Sequence, residues 1–270
     1  MRFSIHSSKH LILGAAVCAP FLFTPGPARA GAWTQKAGAG QVIATTGQDV
    51  SPVGNLASGQ VAQGSTLSQI YVEYGLWDGL TIGGGAFAEI APDGGEDGSA
   101  SVSVFARQRI WQSDTGGVAA LQIGYSQPVE KLIGSAFAAT NPDSTPEVQL
   151  RALYGRGFWG NWGNAFVSME AGYDWRSEGA PDELRFDIST GYQPFDCCMG
   201  ILGVFATYPI EHGEDPSLKV APSITYTFRP DPDEPGEEPP SPTTLQFGVS
   251  QDMLDFDNGF GVQISIWRPF

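Results

Sequence analysis

The strongest constraint on this chain is an alternation of residue types with a period of two, which recurs along most of its length. In each such stretch, aliphatic and aromatic side chains occupy one parity, and small, polar or charged side chains occupy the other. In "AFVSMEAGYDWR", for example, one parity holds Val167, Met169, Ala171, Tyr173 and Trp175, and the other holds Ser168, Glu170, Gly172, Asp174 and Arg176. This is the period of a β-strand, and a helical period is nowhere sustained.

Twelve stretches of this kind predict twelve strands, most of them near the roughly 9–11 residues with which a tilted strand crosses a bilayer. They lie at about 41–47, 66–75, 79–90, 100–111, 118–127, 147–158, 165–176, 183–193, 199–208, 218–228, 243–251 and 259–270.

Two architectures produce this alternation: a soluble β-sandwich with one wet face, and a transmembrane barrel with lipid outside and a polar lumen. Three observations favour the barrel. Charged residues stand in mid-strand, among them Arg107, Arg151, Glu170 and Arg185. Short connections alternate in part with longer acidic ones. Tryptophans collect at the short-turn end, as in an interfacial belt: Trp77, Trp111, Trp159, Trp162 and Trp267. We therefore predict an all-β, antiparallel up-and-down transmembrane barrel of about 12 strands.

The first thirty residues have the pattern of a cleaved secretory signal. Arg2 and Lys9 precede the apolar run "LILGAAVCAPFLF", and "ARA" ends at Ala30 as a cleavage site. The expected mature chain is a single barrel domain from 31 to 270. Processing leaves 11 of the 14 Lys and Arg and all 29 Asp and Glu, so its formal charge is −18. This charge argues against nucleic acid as a partner.

The chain ends on an apolar alternating strand, "FGVQISIWRPF". A barrel in lipid must pair its last strand with its first, because lipid cannot satisfy the backbone groups of an open edge. A terminal Phe270 resembles the assembly signal of bacterial outer-membrane proteins, although Arg268 and Pro269 depart from that pattern. The resemblance implies a Gram-negative outer-membrane location, with the insertion machinery, outer-membrane lipid and lipopolysaccharide as partners. With twelve strands, both termini are expected in the periplasm, as is a Pro- and acid-rich segment at 229–242.

The hairpin that begins "YGLWDGLTIGGG", from Tyr74 to Gly85, resembles the outer-membrane proteins grouped in the phenol-degradation MetA pathway. Those proteins have a similar Tyr-Gly-Leu-x-Asp-x-Leu turn. The resemblance implies a transporter of small solutes, aromatic ones among them, and identifies no functional residues.

No catalytic, cofactor or metal site is expected. His212 is the one histidine of the mature chain, and it falls in an acidic loop without the partners of a catalytic pair. "DMLDFDNG" resembles part of a calcium loop but lacks its downstream glutamate, so a solvated turn and a weak divalent site both stay open. Cys197 and Cys198 are adjacent, and the sequence leaves open whether they are free, bridged to each other or paired between molecules.

The predicted lumen holds as many acids as bases: Glu73, Glu89, Glu147, Glu170, Asp174 and Asp187 against Arg107, Arg109, Arg151, Arg176, Arg185 and Lys219. These charges either line a narrow channel for small polar or aromatic solutes, or pair and close a structural barrel; an outer-membrane enzyme is a third alternative. We expect Arg151 and Arg185 to pair with Glu170, Asp174 and Asp187. Arg107 and Arg109 are then expected to be less compensated and to attract anions.

The connection 129–146 carries Leu132, Ile133 and Phe137, which suits a constriction, a solute contact or loop packing.

Overall fold

The architecture described here is that of a computed structural model. It describes residues 31–50, 63–90, 99–129, 145–177, 180–210, 215–228, 241–255 and 260–270. Several predicted features lie outside these ranges: the signal segment, His212, Leu132, Ile133 and Phe137 of the 129–146 connection, nearly all of the 229–242 segment and the end of "DMLDFDNG". No helix within the described ranges has the length and apolar character needed to cross a membrane.

The described residues form twelve antiparallel strands that close into one barrel, each pairing with its neighbours in the chain. This confirms the predicted all-β, up-and-down barrel. The strands are β1 Gly40–Val50, β2 Gln63–Trp77, β3 Leu80–Ile90, β4 Ser99–Gln112, β5 Gly117–Pro128, β6 Glu147–Gly160, β7 Gly163–Arg176, β8 Glu183–Phe195, β9 Cys198–Pro209, β10 Ser217–Phe228, β11 Thr243–Asp252 and β12 Phe260–Pro269.

The barrel closes between β1 and β12, which pair along their length from Gln41 opposite Pro269 to Val50 opposite Phe260. Phe270 extends this seam by one residue, because its amide and carbonyl each form a 2.9 Å hydrogen bond with the backbone of Gly40. Its ring covers Gly40, where a Cβ atom would lie 2.5 Å from the ring. The final aromatic residue is therefore part of the wall, and closure leaves no unpaired edge between these two strands.

The two ends of the barrel differ in their connections. At one, which we call the turn end, β2–β3, β4–β5, β6–β7 and β8–β9 are joined by tight turns, and the 229–242 segment joins β10 to β11. Gly79, Gly116 and Gly163 have φ values of 88°, 85° and 113° in or beside three of these turns, a conformation that favours glycine. The other connections meet at the opposite end, the loop end.

The outer face of the wall is apolar, as the alternation predicts. Exposed side chains of this face include Ile70, Val104, Ile123, Leu150, Met169, Phe186, Leu202, Ile224, Phe247 and Ile264. Trp77, Trp111, Trp159 and Trp162 are exposed at the turn end, but Trp267 is only 3% exposed and points into the lumen. Its assignment to the outer tryptophan belt was wrong, because it shares the parity of Gln263 and Ser265 on β12.

The pairing between β10 and β11 is interrupted. Their ladder runs from Phe228 to Ser223 and resumes at Val220, leaving Ala221 and Pro222 out of the pairing. Proline has no N–H to contribute to a ladder. A groove of about 720 Å³ borders this region, and most of its lining residues, such as Ile224, Phe247 and Ile264, have the outward parity. It therefore belongs to the outer face of the wall rather than to the lumen.

Candidate functional site

The lumen is occupied at its turn end by the residues that precede β1. We call Gly31–Ala39 the plug segment. Ala32 is fully buried and packs with Val118, Ala120 and Leu153 of the inner wall. The chain then passes so close to β2 that a Cβ atom at Gly75 would lie 2.0 Å from the Lys36 carbonyl oxygen. Glycine at position 75 therefore makes room for the plug segment.

Trp33 is the main apolar contact of the plug segment. Its indole ring covers Gly155 of β6, where a Cβ atom would lie 2.4 Å from the ring. The ring also packs against a cluster of inward apolar side chains from several strands: Ile43, Phe166, Met199, Ile201 and Trp267. Neither the plug segment nor this cluster was predicted. The alternation suggests a lumen of small and polar residues, whereas part of its turn end is apolar.

Polar contacts also fix the plug segment to the wall. The Gln35 amide donates to the Thr81 hydroxyl over 2.7 Å, and the Gln35 side-chain amide donates to the Glu73 carboxylate. Arg107 donates to the Trp33 carbonyl over 3.2 Å. The backbone of Gly75 pairs with Gly38 and Ala39. All these contacts are non-covalent, so the plug segment can leave the lumen without breaking a bond of the wall.

Ionisable side chains gather on the inner wall in a group that we call the charge belt. Its members are Glu73, Arg107, Glu147, Arg151, Glu170, Asp174, Arg176, Glu183, Arg185 and Asp187. Asp174 is fully buried and lies 2.8 Å from both Arg151 and Arg185. Arg151 also reaches Glu170 at 3.5 Å, and Glu183 joins Arg176 at 2.7 Å and Arg185 at 3.3 Å. Arginines on β6 and β8 thus pair across the acidic residues of β7.

Arg107 differs from the expectation that it is poorly compensated. It is 2% exposed and lies 3.6 Å from the Glu73 carboxylate. Its Nε donates to Gln122 over 3.0 Å, and its guanidinium lies 5.2 Å from the Phe105 ring centre. Glu73 also accepts hydrogen bonds from Gln41 and the Tyr71 hydroxyl. The prediction was wrong because the partner, Glu73, is on β2 beneath the plug segment, outside the strands considered for pairing.

The remaining predicted lumen residues are spread along the barrel. Arg109 is half-buried at the turn end of β4, where its guanidinium lies near Gly79. Glu89 is half-buried near the loop end of β3, away from the charge belt. Asp187 faces inward opposite Glu170 in the β7–β8 register. Glu183 was not predicted, although it shares the parity of Arg185 and Asp187 and could have been found from that parity.

Two other predictions, on metal binding and on the cysteines, concern described residues. Within the described ranges, no group of three or more His, Cys, Asp or Glu side chains is arranged to hold a metal ion. The sulfurs of Cys197 and Cys198 lie 2.9 Å apart beside the β8–β9 turn. The lumen therefore offers ion pairs, an aromatic and apolar surface, and a non-covalent plug.

Comparison with solved structures gives the same fold. An outer-membrane channel from Pseudomonas putida F1 matches with a TM-score of 0.56 at 13% identity, covering 92% of this chain and 99% of the other. The KdgM porin matches at 0.52 and 6% identity over 85% and 99% of the two chains. The NanC porin matches at 0.52 and 8% identity over 84% and 98%.

No protein-family model matches the chain, and no curated protein matches it. The structural neighbours are outer-membrane channels and porins, and at these identities the likeness shows the barrel fold alone. Membership of the MetA-pathway group is not confirmed and stays a prediction from the hairpin motif.

Proposed function

We propose that this protein is an outer-membrane channel for small polar or aromatic solutes, with a narrow charge-lined lumen that the plug segment closes at the turn end. The observation that carries the proposal is the plug segment itself. Because hydrogen bonds, the Trp33 indole and the packing of Ala32 hold it with no covalent link to the strands it contacts, the lumen can open without breaking the wall. The channels and porins among the structural neighbours support a transport role in general.

The proposed location is the outer membrane of a Gram-negative bacterium, after cleavage of a signal peptide at Ala30. The apolar outer face and the exposed tryptophans of the turn end support contact with outer-membrane lipid. In this arrangement the turn end and both termini face the periplasm. The loop end faces lipopolysaccharide, and the insertion machinery receives the barrel through its last strand.

The chemistry of the lumen supports the proposed class of solute. The charge belt pairs most of its ions across neighbouring strands, so it presents alternating charges rather than one dominant sign. Tyr71 and Phe105 stack with ring centres 5.7 Å apart beside Arg107, and the apolar cluster around Trp267 lies on the inner wall. A small solute with an aromatic body and a polar group is compatible with both surfaces.

A substitution that displaces the plug segment, and so opens the lumen, tests the proposal. Gly75→Ala adds a Cβ atom at a point 2.0 Å from the Lys36 carbonyl oxygen, so we expect the plug segment to be displaced. Uptake of small sugars and aromatic acids in liposome-swelling assays should rise about tenfold, because the lost contacts are worth one or two hydrogen bonds. Gly200→Ala is the matched control, since nothing described lies within 4 Å of its added Cβ atom.

A structural barrel without transport is the second candidate function, and the burial of the charge belt favours it. The paired side chains expose at most 11% of their surface, which is the environment of a closed interior. If correctly folded Gly75→Ala protein admits no solute and gives no current steps in planar bilayers, the channel proposal fails and the structural barrel replaces it.

Ion preference provides an independent test. Arg109 is less buried than Arg107 and lies at the turn end, so it is the better placed of the two to attract anions. Arg109→Ala should move the reversal potential of a salt gradient toward cation preference, most strongly at low salt, where screening is weak. Arg107→Ala should instead raise the conductance, because it removes a contact with the plug segment. Equal shifts in ion preference in both variants would contradict this division of roles.

A further inference from the structure

The strongest unexplained feature of the lumen is the position of Gly31, the first residue after the predicted cleavage site. A Cβ atom at Gly31 would lie 2.9 Å from the Ser168 hydroxyl oxygen and 3.7 Å from a Leu153 methyl group. Leu153 on β6 is directly opposite Glu170 on β7, and Ser168 is two residues from Glu170 on the same face. Gly31 is therefore held against the inner wall beside Glu170.

One oxygen of Glu170 is able to accept a further hydrogen bond at this point. It is only 7% exposed, and its Oε1 receives no hydrogen bond from any described residue. Arg151 Nε lies 3.5 Å from that oxygen, beyond ordinary hydrogen-bond distance. A buried carboxylate oxygen without a donor is costly, and a cation that donates hydrogen bonds removes most of that cost.

Carboxyl groups also outnumber guanidinium groups in the charge belt. Its carboxylates are Glu73, Glu147, Glu170, Asp174, Glu183 and Asp187, and its guanidinium groups are those of Arg107, Arg151, Arg176 and Arg185. Glu170 and Asp187 are directly opposite each other in the β7–β8 register, so two of the acidic groups face one another. One more cation beside Glu170 would partly offset this excess of carboxyl groups.

We infer that cleavage after Ala30 supplies this cation, and that the new α-ammonium group of Gly31 binds the Glu170 carboxylate and the Ser168 hydroxyl. In the cleavage, one water is consumed, the Ala30 carbonyl leaves as a carboxylate, and the Gly31 nitrogen becomes an amine that takes up a proton. The nitrogen is one bond from the Gly31 Cα atom, and in the proposed arrangement the terminal residue rotates to bring it to the Glu170 carboxylate. The inference rests on the predicted cleavage site and does not require the barrel to conduct.

In this arrangement, processing does more than remove the signal peptide. It creates the charged group that anchors the tip of the plug segment at β7, whereas the contacts of Gln35 and Arg107 are with or from β2, β3 and β4. The ligand site is the pair Ser168 and Glu170, and the ligand is the protein's own amino terminus.

Labelling of amines in the folded mature protein tests the inference. An α-amino group with its usual pKa near 8 reacts faster at neutral pH than a lysine with a pKa near 10.4. We expect the reverse order for the wild-type protein. The Gly31 amine should react more slowly than the exposed Lys36 side chain, as measured by mass spectrometry of the labelled peptides. The intact mass of the protein establishes that the mature chain begins at Gly31.

Matched variants show which side chains slow the labelling of the Gly31 amine. Glu170→Gln should increase labelling of Gly31 about tenfold, the effect of losing one charge-assisted hydrogen bond, and Ser168→Ala should increase it less. Glu147→Gln removes a carboxylate of the same belt far from Gly31 and should change nothing. Faster labelling of Gly31 than of Lys36 in wild-type protein, a mature chain that begins at another residue, or equal effects of Glu170→Gln and Glu147→Gln would overturn the inference. If Glu170→Gln does not fold, Ser168→Ala decides it.

Discussion

Arg151 lies between two carboxylates, Asp174 at 2.8 Å and Glu170 at 3.5 Å, with almost none of its surface exposed. Arg151→Ala leaves both carboxylates buried without this partner, so the free energy of unfolding should fall by about 3–5 kcal/mol. The measurement is the denaturant concentration at which half of the protein is unfolded in detergent, with the shift in gel migration used to separate folded from unfolded protein.

Two further variants give this prediction its control. Arg156 is on the same strand but points outward over the ring of Phe158, and Arg156→Ala should cost about 1 kcal/mol or less. The double variant Arg151→Ala, Asp174→Ala should lose less free energy of unfolding than the two single variants together. The second change removes a carboxylate that the first leaves buried without its partner. Strict additivity would contradict the pairing described here.

A second prediction at the residue scale concerns Asp182, which lies in the connection between β7 and β8. Hydrogen bonds from the Tyr173 hydroxyl and the Arg176 amide, together with the Arg176 charge, hold the pKa of Asp182 below its ordinary value of 3.8. A lowered pKa means that the stabilisation is complete above the ordinary value and is lost as the pH falls through the lowered one. Hydrogen-exchange protection of the Arg176 amide should therefore fall in acid. In Asp182→Asn it should be low at every pH.

At the scale of the element, β12 closes the barrel and Phe270 extends its seam with β1. Deleting Phe270 removes both hydrogen bonds to Gly40 and the ring that covers it, so the amount of folded protein in the outer-membrane fraction should fall at least about tenfold. Phe270→Tyr keeps the ring and should keep assembly. Phe228→Ala changes an exposed aromatic residue near the turn end of β10 and should have little effect. Wild-type levels after the deletion would remove the role of Phe270.

For the whole molecule, an apolar outer face on a closed barrel predicts a membrane protein whose fold resists unfolding by detergent. Fractionated cells should contain it in the outer membrane, and unheated samples should migrate differently from boiled ones on a denaturing gel, because the closed wall resists detergent at room temperature. Recovery as a soluble periplasmic protein would contradict this expectation.

The sequence predicts the wall better than it predicts the lumen, for physical reasons. The two-residue period is imposed by strand geometry, so twelve strands and the inward parity of Arg151, Glu170 and Asp174 could be found from residue types alone. The plug segment has no period, and nothing in "GAWTQKAGA" indicates that it folds back into a barrel. Its position depends on which glycines, Gly75 and Gly155, stand beside it, and such contacts between distant segments are fixed only by closure.

The seven tryptophans fall into two populations that differ in what they touch. Trp33 and Trp267 lie inside the lumen, whereas Trp77, Trp111, Trp159, Trp162 and Trp175 are exposed on the outside. Fluorescence therefore separates the two sides of the wall without any added dye. Brominated lipids should quench the outer population, and the emission that persists should come from the indoles around the plug. A shift in the wavelength of that residual emission would then report movement of the plug segment while the barrel remains in its membrane.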